Sequence, residues 1–161
     1  MIPPSSALFN ALASVHVLAG TSLAAQTLLA REGLVREFPT GAHIVREGDE
    51  GHSLFILVEG KVEVVKHADS PGAVTLDTLQ KGAIFGEMCI VESMTRAASI
   101  LTLSPVKTIE IKAATLHHLY QQLPDQYAIV LLNLARDMAR QLCRLDEAYA
   151  ARAGLNSVGT N

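Results

Sequence analysis

The stretch FGEMCIVESMTRAASI, residues 85–100, combines a Gly-Glu pair with an arginine that eight residues separate from the glutamate. Gly86 lacks a Cβ and permits a sharp backbone turn into one helical turn over residues 88–91. The first N–H groups of such a turn have no acceptor within the helix and carry partial positive charge, which favours an anion. Arg96 can return to the same place with a planar guanidinium that matches phosphate oxygens in pairs.

Glu87 adds a second kind of binding group to this stretch. If Arg96 and the helix start hold an anion, Glu87 stays free to accept hydrogen bonds from neutral hydroxyls, such as those of a sugar. A carboxylate for hydroxyls beside an arginine for phosphate predicts a nucleotide with a small, compact phosphate. A Gly-Glu turn followed by an arginine also occurs by chance in other proteins, so the prediction depends on the surrounding sequence.

Length, composition and charge limit the class of protein. The 161 residues fit one domain, residues 1–161, and 49% hydrophobic with 18% charged residues excludes a disordered chain. A formal net charge of −3 argues against a nucleic-acid binder that works by charge. The two cysteines, Cys89 and Cys143, lie far apart in unlike segments. This spacing argues against a disulfide framework and fits a reducing cytoplasm.

Residues 1–30 contain no Asp, Glu, Lys or Arg. The start lacks the basic residues of a signal peptide, and polar residues interrupt the apolar run that a transmembrane helix needs. We therefore predict two short helices in residues 1–33, the first ended by Gly20 and the second begun by Thr21 or Ser22. Packing against the rest of the domain explains their missing charges, and a docking surface for a partner or a second copy is the alternative.

The pattern changes to short strands over residues 34–111. Runs of β-favouring residues alternate there with turn glycines and prolines, which is typical of a β-sandwich or small barrel. The predicted class is α+β. The eight predicted strands cover residues 34–38, 43–46, 54–58, 61–66, 74–79, 84–85, 98–103 and 106–111.

Helices return over residues 113–150. Pro124 and Asp125 suit a helix start, and apolar residues then keep a helical spacing for more than twenty residues up to Tyr149. This helix is long for covering a small barrel, so core packing, ligand capping and pairing with a second copy all remain open, although Gln141 interrupts a strict heptad seam. Residues 151–161 are predicted to be a tail, which is frayed from Gly154 onward.

Six motifs occur in order along the chain: Gly41, Glu47-Gly48-Asp49, Gly60, Gly82, Phe85-Gly86-Glu87 and Arg96-Ala97-Ala98. Together they resemble the cyclic nucleotide-binding domain, the family of the catabolite activator protein, the kinase regulatory subunits and the cyclic-nucleotide-gated channels. The resemblance covers about residues 8–149, and the eight-residue gap before the arginine is closer to the kinase and channel branch. It implies an eight-stranded antiparallel β-roll, a jelly-roll-like double-stranded β-helix, flanked by N-terminal helices and C-terminal lid helices.

The resemblance also implies the roles of individual residues in a phosphate-binding cassette, residues 85–100. Glu87 matches the acid that binds the ribose 2′-hydroxyl, and Arg96 matches the arginine on the cyclic phosphate. Leu145 or Tyr149 of the lid helix could cap the base. Ala97 stands where cGMP-preferring members often have Thr or Ser, which favours cAMP over cGMP. The implied ligand-binding residues are Phe85, Gly86, Glu87, Met88, Cys89, Arg96, Ala97 and Ala98.

The function implied by the resemblance is a non-enzymatic cytoplasmic receptor for cAMP, or for cGMP, without a cofactor or metal. If the chain is complete, its output passes to an unknown protein effector or through a homodimer of the C-terminal helix, with no nucleic acid or membrane as partner. The alternatives are a scaffold of the same fold with an idle pocket, a cyclic di-GMP binder, and a cupin-type metal enzyme. The last needs clustered ligands, whereas His43, His52 and His67 are scattered.

Overall fold

Eight antiparallel strands form the centre of the computed structural model, which describes residues 6–13, 15–92 and 95–157. In chain order the strands are β1 (Leu34–Phe38), β2 (His43–Val45), β3 (Ser53–Glu59), β4 (Lys61–Lys66), β5 (Val74–Gln80), β6 (Ile84–Phe85), β7 (Ser99–Thr102) and β8 (Val106–Lys112). They form two four-stranded sheets with the orders β1-β8-β3-β6 and β2-β7-β4-β5. The predicted α+β class is confirmed, and the two sheets do not close into a barrel.

Side chains from both faces of β3 are buried, as its nearly continuous apolar sequence predicts. Phe55 and Leu57 point into a cluster between the two sheets, whereas Leu54 and Ile56 belong to a second cluster beneath the helices. β3 also pairs with β6, with Phe55 opposite Phe85. This pairing brings the start of the 85–100 stretch into the centre of the molecule.

The helices lie before, between and after the strands. They are α1 (Ser6–Ala13), a short 3₁₀ helix (His16–Leu18), α2 (Leu23–Glu32), α3 (Met88–Val91), α4 (Ala113–Gln122) and α5 (Pro124–Ser157). The Ser22 hydroxyl caps α2 by accepting a hydrogen bond from the Ala25 N–H at 3.3 Å, as predicted. Within the described residues, no helix is long and apolar enough to span a bilayer.

The prediction of one N-terminal helix up to Gly20 was wrong. α1 ends at Ala13, and Val15 is extended before the 3₁₀ helix. Val15 and Val17 are both buried, although residues two apart lie about 200° apart around a regular helix. The Asn133 side chain of α5 fixes the break by donating to the Val17 and Ala19 carbonyls at 3.0 and 2.8 Å.

The uncharged N-terminal segment packs against the domain, which was the simpler of the two explanations for its composition. Leu12, Leu18 and Leu29 are almost fully buried, and they share one cluster with residues of β3, β8, α4 and α5. Leu23, the first residue of α2, is instead 69% exposed.

The prediction that the C-terminal helices end at residue 150 was also wrong. α5 continues to Ser157 and has 34 residues, which makes it about 51 Å long. Four alanines at positions 148, 150, 151 and 153 favour the helix. The single Gly154 costs roughly 1 kcal/mol, too little to end it. Residues 158–161 lie outside the described structure.

Candidate functional site

The backbone of Arg96 is held on both sides by the turn between β2 and β3. Its N–H donates to the Asp49 carbonyl at 2.7 Å, and its own carbonyl accepts from the Gly48 N–H at 2.9 Å. Glu50 and Thr95 form a β-bridge beside this pair. The turn between the predicted strands 43–46 and 54–58 therefore fixes where the arginine side chain begins.

Glu47 anchors this turn to the second sheet. Its carboxylate accepts from Lys66 Nζ at 2.6 Å and from the His67 N–H at 2.7 Å. Its own N–H donates to the Ser99 hydroxyl at 3.0 Å. The hydrogen bond from Lys66, with that from the His67 backbone, lowers the pKa of Glu47, so the carboxylate stays ionised and holds the anchor at neutral pH.

The Arg96 guanidinium is buried, with 6% of the residue exposed. Nη1 donates to the Ser53 carbonyl at 2.8 Å and to the Gly86 carbonyl at 3.1 Å, and Nη2 donates to the Ser53 hydroxyl at 3.3 Å. The guanidinium carbon lies 5.7 Å from the Phe55 ring centre, and Phe55 stacks on Phe85. Three of the five N–H groups of a guanidinium are thus used within the described residues, which leaves two for an anion.

Two glycines make room for this arginine. A Cβ at Gly51 would lie 2.5 Å from Arg96 Nε, and a Cβ at Gly86 would lie 2.5 Å from Nη1. Gly86 also has a φ of 78°, which favours glycine. The sequence analysis assigned Gly86 to the site but missed Gly51 and Ser53. The only sequence signals for these two residues were the position of Gly51 in a turn and that of Ser53 at the start of a strand.

Glu87 is the second buried charged group of the site, also 6% exposed. Burial raises the pKa of its carboxyl, and Asp137 of α5 raises it further. The Glu87 backbone N–H, the positive charge of Arg96 and the Gln141 side chain act in the opposite direction. Glu87 therefore lies in an environment that disfavours its charge.

Two polar side chains of α5 affect the pKa of Glu87, Asp137 by raising it and Gln141 by lowering it. Both are half-buried. Arg140 pairs with Asp137 on the same helix, and Arg144 Nη2 lies 3.9 Å from Asp77 Oδ2 on β5. The sequence analysis predicted a lid helix here but gave no role at the site to Asp137 or Gln141.

The other predicted site residues differ in exposure. Phe85 and Cys89 are buried, Met88 is 43% exposed, Ala97 is exposed and Ala98 is half-buried. α3 is one turn long and begins with Met88 and Cys89, whose N–H groups have no acceptor within the helix.

The two predicted base-capping residues lie on the exposed part of α5. Leu145 is 51% exposed and Tyr149 is 77% exposed. Their role as a cap stays a prediction.

No group of three or more His, Cys, Asp or Glu side chains suited to a metal ion occurs in the described ranges. The cysteines are free, Cys89 buried and Cys143 exposed.

Comparison with known proteins identifies the same domain. The sequence model of the cyclic nucleotide-binding domain matches residues 35–123. The chain is 31% identical to isozyme 1 of the cGMP-dependent protein kinase of Drosophila melanogaster, over 84% of this chain and 18% of the kinase. It is 26% identical to the CRP-like cAMP-activated global transcriptional regulator of Mycobacterium tuberculosis, over 80% of this chain and 58% of the regulator. The chain thus corresponds to only part of each relative.

The fold is similar to that of a crystal structure of a cyclic nucleotide-binding domain from Methylobacillus flagellatus, with a TM-score of 0.80. That similarity covers 89% of this chain and 83% of the other, at 21% identity. Sequence motif, strand topology and family match agree, and the chain belongs to the cyclic nucleotide-binding domain family.

Proposed function

We propose that this chain is a non-enzymatic receptor for a cyclic nucleotide. The observation that carries the proposal is the pairing of two buried, oppositely charged side chains around Gly86. Arg96 supplies N–H groups for a compact phosphate, and Glu87 supplies an acceptor for a sugar hydroxyl, each only 6% exposed. A partly dry site strengthens both interactions. The two free cysteines fit a cytoplasmic location.

cAMP is the proposed ligand, ahead of cGMP. Ala97 offers no side-chain hydroxyl to a guanine base. Of the two relatives, one is named for cGMP and the other for cAMP, so the ligand must be decided by measurement.

Titration calorimetry with cAMP, cGMP and cyclic di-GMP tests the proposal. We expect saturable cAMP binding with a Kd of about 1 μM or lower, near −8 kcal/mol, and weaker cGMP binding. Incubation with cAMP, followed by chromatography, should return the nucleotide unchanged. The absence of heat with all three ligands would favour the idle-pocket scaffold, and preference for cyclic di-GMP would favour the dinucleotide reading.

We further propose that α5 pairs with α5 of a second copy. An apolar stripe follows the heptad pattern, with the exposed residues Ala135, Leu142 and Tyr149 seven positions apart. Half-buried Met138 and exposed Leu145 lie between them. Gln141, which interrupts the strict seam considered in the sequence analysis, lies next to Leu142 and outside this set of positions. In a straight α5, Leu145 and Tyr149 can pack against a second copy or cap the base of a ligand, but cannot do both. Both residues are exposed, which favours packing against a second copy.

Replacement of Leu142 by glutamate should weaken this dimer. A charge at the centre of the seam opposes burial, so we expect the dimer dissociation constant to rise about tenfold or more, which corresponds to about 1.4 kcal/mol. Sedimentation equilibrium measures the constant. Leu132→Glu is the matched control, since Leu132 is 52% exposed on the same helix but outside the seam. A monomeric wild-type protein at about 100 μM, a weak affinity on the usual scale, would contradict the dimer proposal.

A further inference from the structure

We infer that Ser53 is a positioning residue of the phosphate site. It binds the end of the Arg96 guanidinium and leaves the side edge of that group, the Nε–H and one N–H of Nη2, for the phosphate. The inference rests on the proposed function, because it takes the phosphate of a nucleotide as the anion. It goes further in naming the two N–H groups that bind this phosphate and the residue that selects them.

Ser53 contacts the guanidinium through its backbone and its side chain. Its carbonyl accepts a hydrogen bond from Nη1 at 2.8 Å, and its hydroxyl accepts one from Nη2 at 3.3 Å. Because one residue accepts from both terminal nitrogens, it covers the end of the guanidinium where these nitrogens lie side by side. The Gly86 carbonyl accepts from Nη1 at 3.1 Å, which uses the second N–H of this nitrogen.

The side edge of the guanidinium is what these bonds leave for a ligand. Among the residues that the structure describes, none accepts a hydrogen bond from the Nε–H or from the second N–H of Nη2. These two N–H groups are parallel and lie in the plane of the guanidinium, so they match two oxygens of one phosphate. If Arg96 turned to present its end instead, it would lose both bonds to Ser53.

Gly51 packs on the face of the guanidinium and not on its side edge. A Cβ at this position would lie 2.5 Å from Nε, 2.6 Å from Cζ and 2.9 Å from Cδ of Arg96. Such similar distances to three atoms of the plane place the Cβ above the plane, and not in line with the Nε–H bond. The close approach of Gly51 therefore does not take up the direction in which this N–H donates.

Replacement of Ser53 by alanine should raise the Kd for cAMP about three- to tenfold, the effect of one hydrogen bond. The variant keeps the carbonyl that accepts from Nη1 and removes only the hydroxyl that holds Nη2. Ser104→Ala is the matched control, because the Ser104 hydroxyl accepts from the Lys61 N–H at 3.0 Å, beyond the other end of β3. It should leave the Kd, measured by titration calorimetry, unchanged.

The Nε–H signal of Arg96 in a ¹H–¹⁵N correlation spectrum tests the edge directly. The signal is assigned by its loss in Arg96→Lys. Addition of cAMP should move it to lower field, because the N–H then donates to a charged oxygen, whereas adenosine, which lacks the phosphate, should not. At saturating cAMP the movement should be smaller in Ser53→Ala and unchanged in Ser104→Ala.

The outcomes separate this inference from the receptor proposal. An unmoved Nε–H signal in a wild-type protein that binds cAMP would overturn the inference and leave the receptor standing. An unchanged Kd in folded Ser53→Ala would do the same. If Ser53→Ala does not fold, the wild-type spectrum still decides which edge binds. Failure of the wild-type protein to bind cAMP would overturn the proposed ligand and this inference together.

Discussion

Replacement of Arg96 by alanine should weaken cAMP binding by about 2–4 kcal/mol, the cost of losing charge-assisted hydrogen bonds in a partly dry site. The guanidinium is buried and already bonded to Ser53 and Gly86. Its position is therefore set before the ligand arrives, and little side-chain entropy is lost on binding. Titration calorimetry measures the change, which corresponds to a rise in Kd of about thirtyfold to a thousandfold.

A lysine variant shows whether the planar guanidinium or only its positive charge matters for binding, and a surface arginine variant is the control. Arg96→Lys keeps the charge but cannot present two parallel N–H groups, so we expect an intermediate loss. Arg36→Ala removes an arginine of β1 that pairs with Glu110 on the surface, and should leave the affinity unchanged. Thermal unfolding of each variant is needed, because Arg96→Ala also leaves the Ser53 and Gly86 carbonyls without this donor. Unchanged cAMP affinity in a folded Arg96→Ala protein would exclude Arg96 as the phosphate ligand.

The sequence predicted the strands well because local signals determine them. The turn before β3 contains Gly48 and Gly51, and that before β4 contains Gly60. Each such glycine marks the place where an alternating or buried run must end. Local sequence signals also identified Glu87 and Arg96, because the Gly-Glu pair and the arginine lie within one short stretch of sequence.

The errors arose where distant parts of the chain decide the structure. Val15 is extended and buried where the N-terminal helix is interrupted, and Asn133 of α5 holds the following turn by donating to the Val17 and Ala19 carbonyls. The rotation of α5 about its axis is likewise set by the domain, so that Gln141 is half-buried and Leu142 is exposed. Periodicity alone shows that an apolar stripe exists, but does not show which of its edges is covered.

The role of Gly51 illustrates the same limit inside the site. In the sequence it is one of several turn glycines, and its φ does not require glycine. Only the placement of Arg96 Nε at 2.5 Å from a would-be Cβ shows why a larger residue does not fit. A contact between residues 45 positions apart leaves no trace in local composition.

Replacement of Glu87 by glutamine should remove ligand affinity and at the same time stabilise the protein. The carboxylate is expected to accept a hydroxyl hydrogen bond, and its loss should cost about 1.5–3 kcal/mol of cAMP binding, the range for bonds to charged groups. In the ligand-free protein the same charge is unfavourable, because burial and Asp137 raise the pKa of Glu87. A neutral amide of similar shape avoids this cost, and we expect a gain of about 0.5–2 kcal/mol in unfolding free energy at pH 8.

The pH dependence of that gain identifies its cause. A carboxyl whose pKa is higher in the folded state than its ordinary value of 4.5 binds more protons when folded, so the stability of the wild-type protein falls as pH rises from that value through the folded pKa. The advantage of Glu87→Gln over the wild type should therefore be largest above the folded pKa and vanish below about pH 4.5. Denaturant unfolding of both proteins across this range measures it.

Glu92→Gln is the matched control for these measurements, an exposed glutamate of the same cassette, and should alter neither stability nor affinity. A Glu87→Gln protein less stable than the wild type at pH 8 would contradict the argument, because it would mean that the bonds to the carboxylate outweigh its burial. The expected loss of cAMP affinity and the expected gain in stability of Glu87→Gln have a single cause. The site keeps a desolvated charge that the ligand-free fold disfavours, and a hydroxyl of the bound nucleotide is the group that satisfies it.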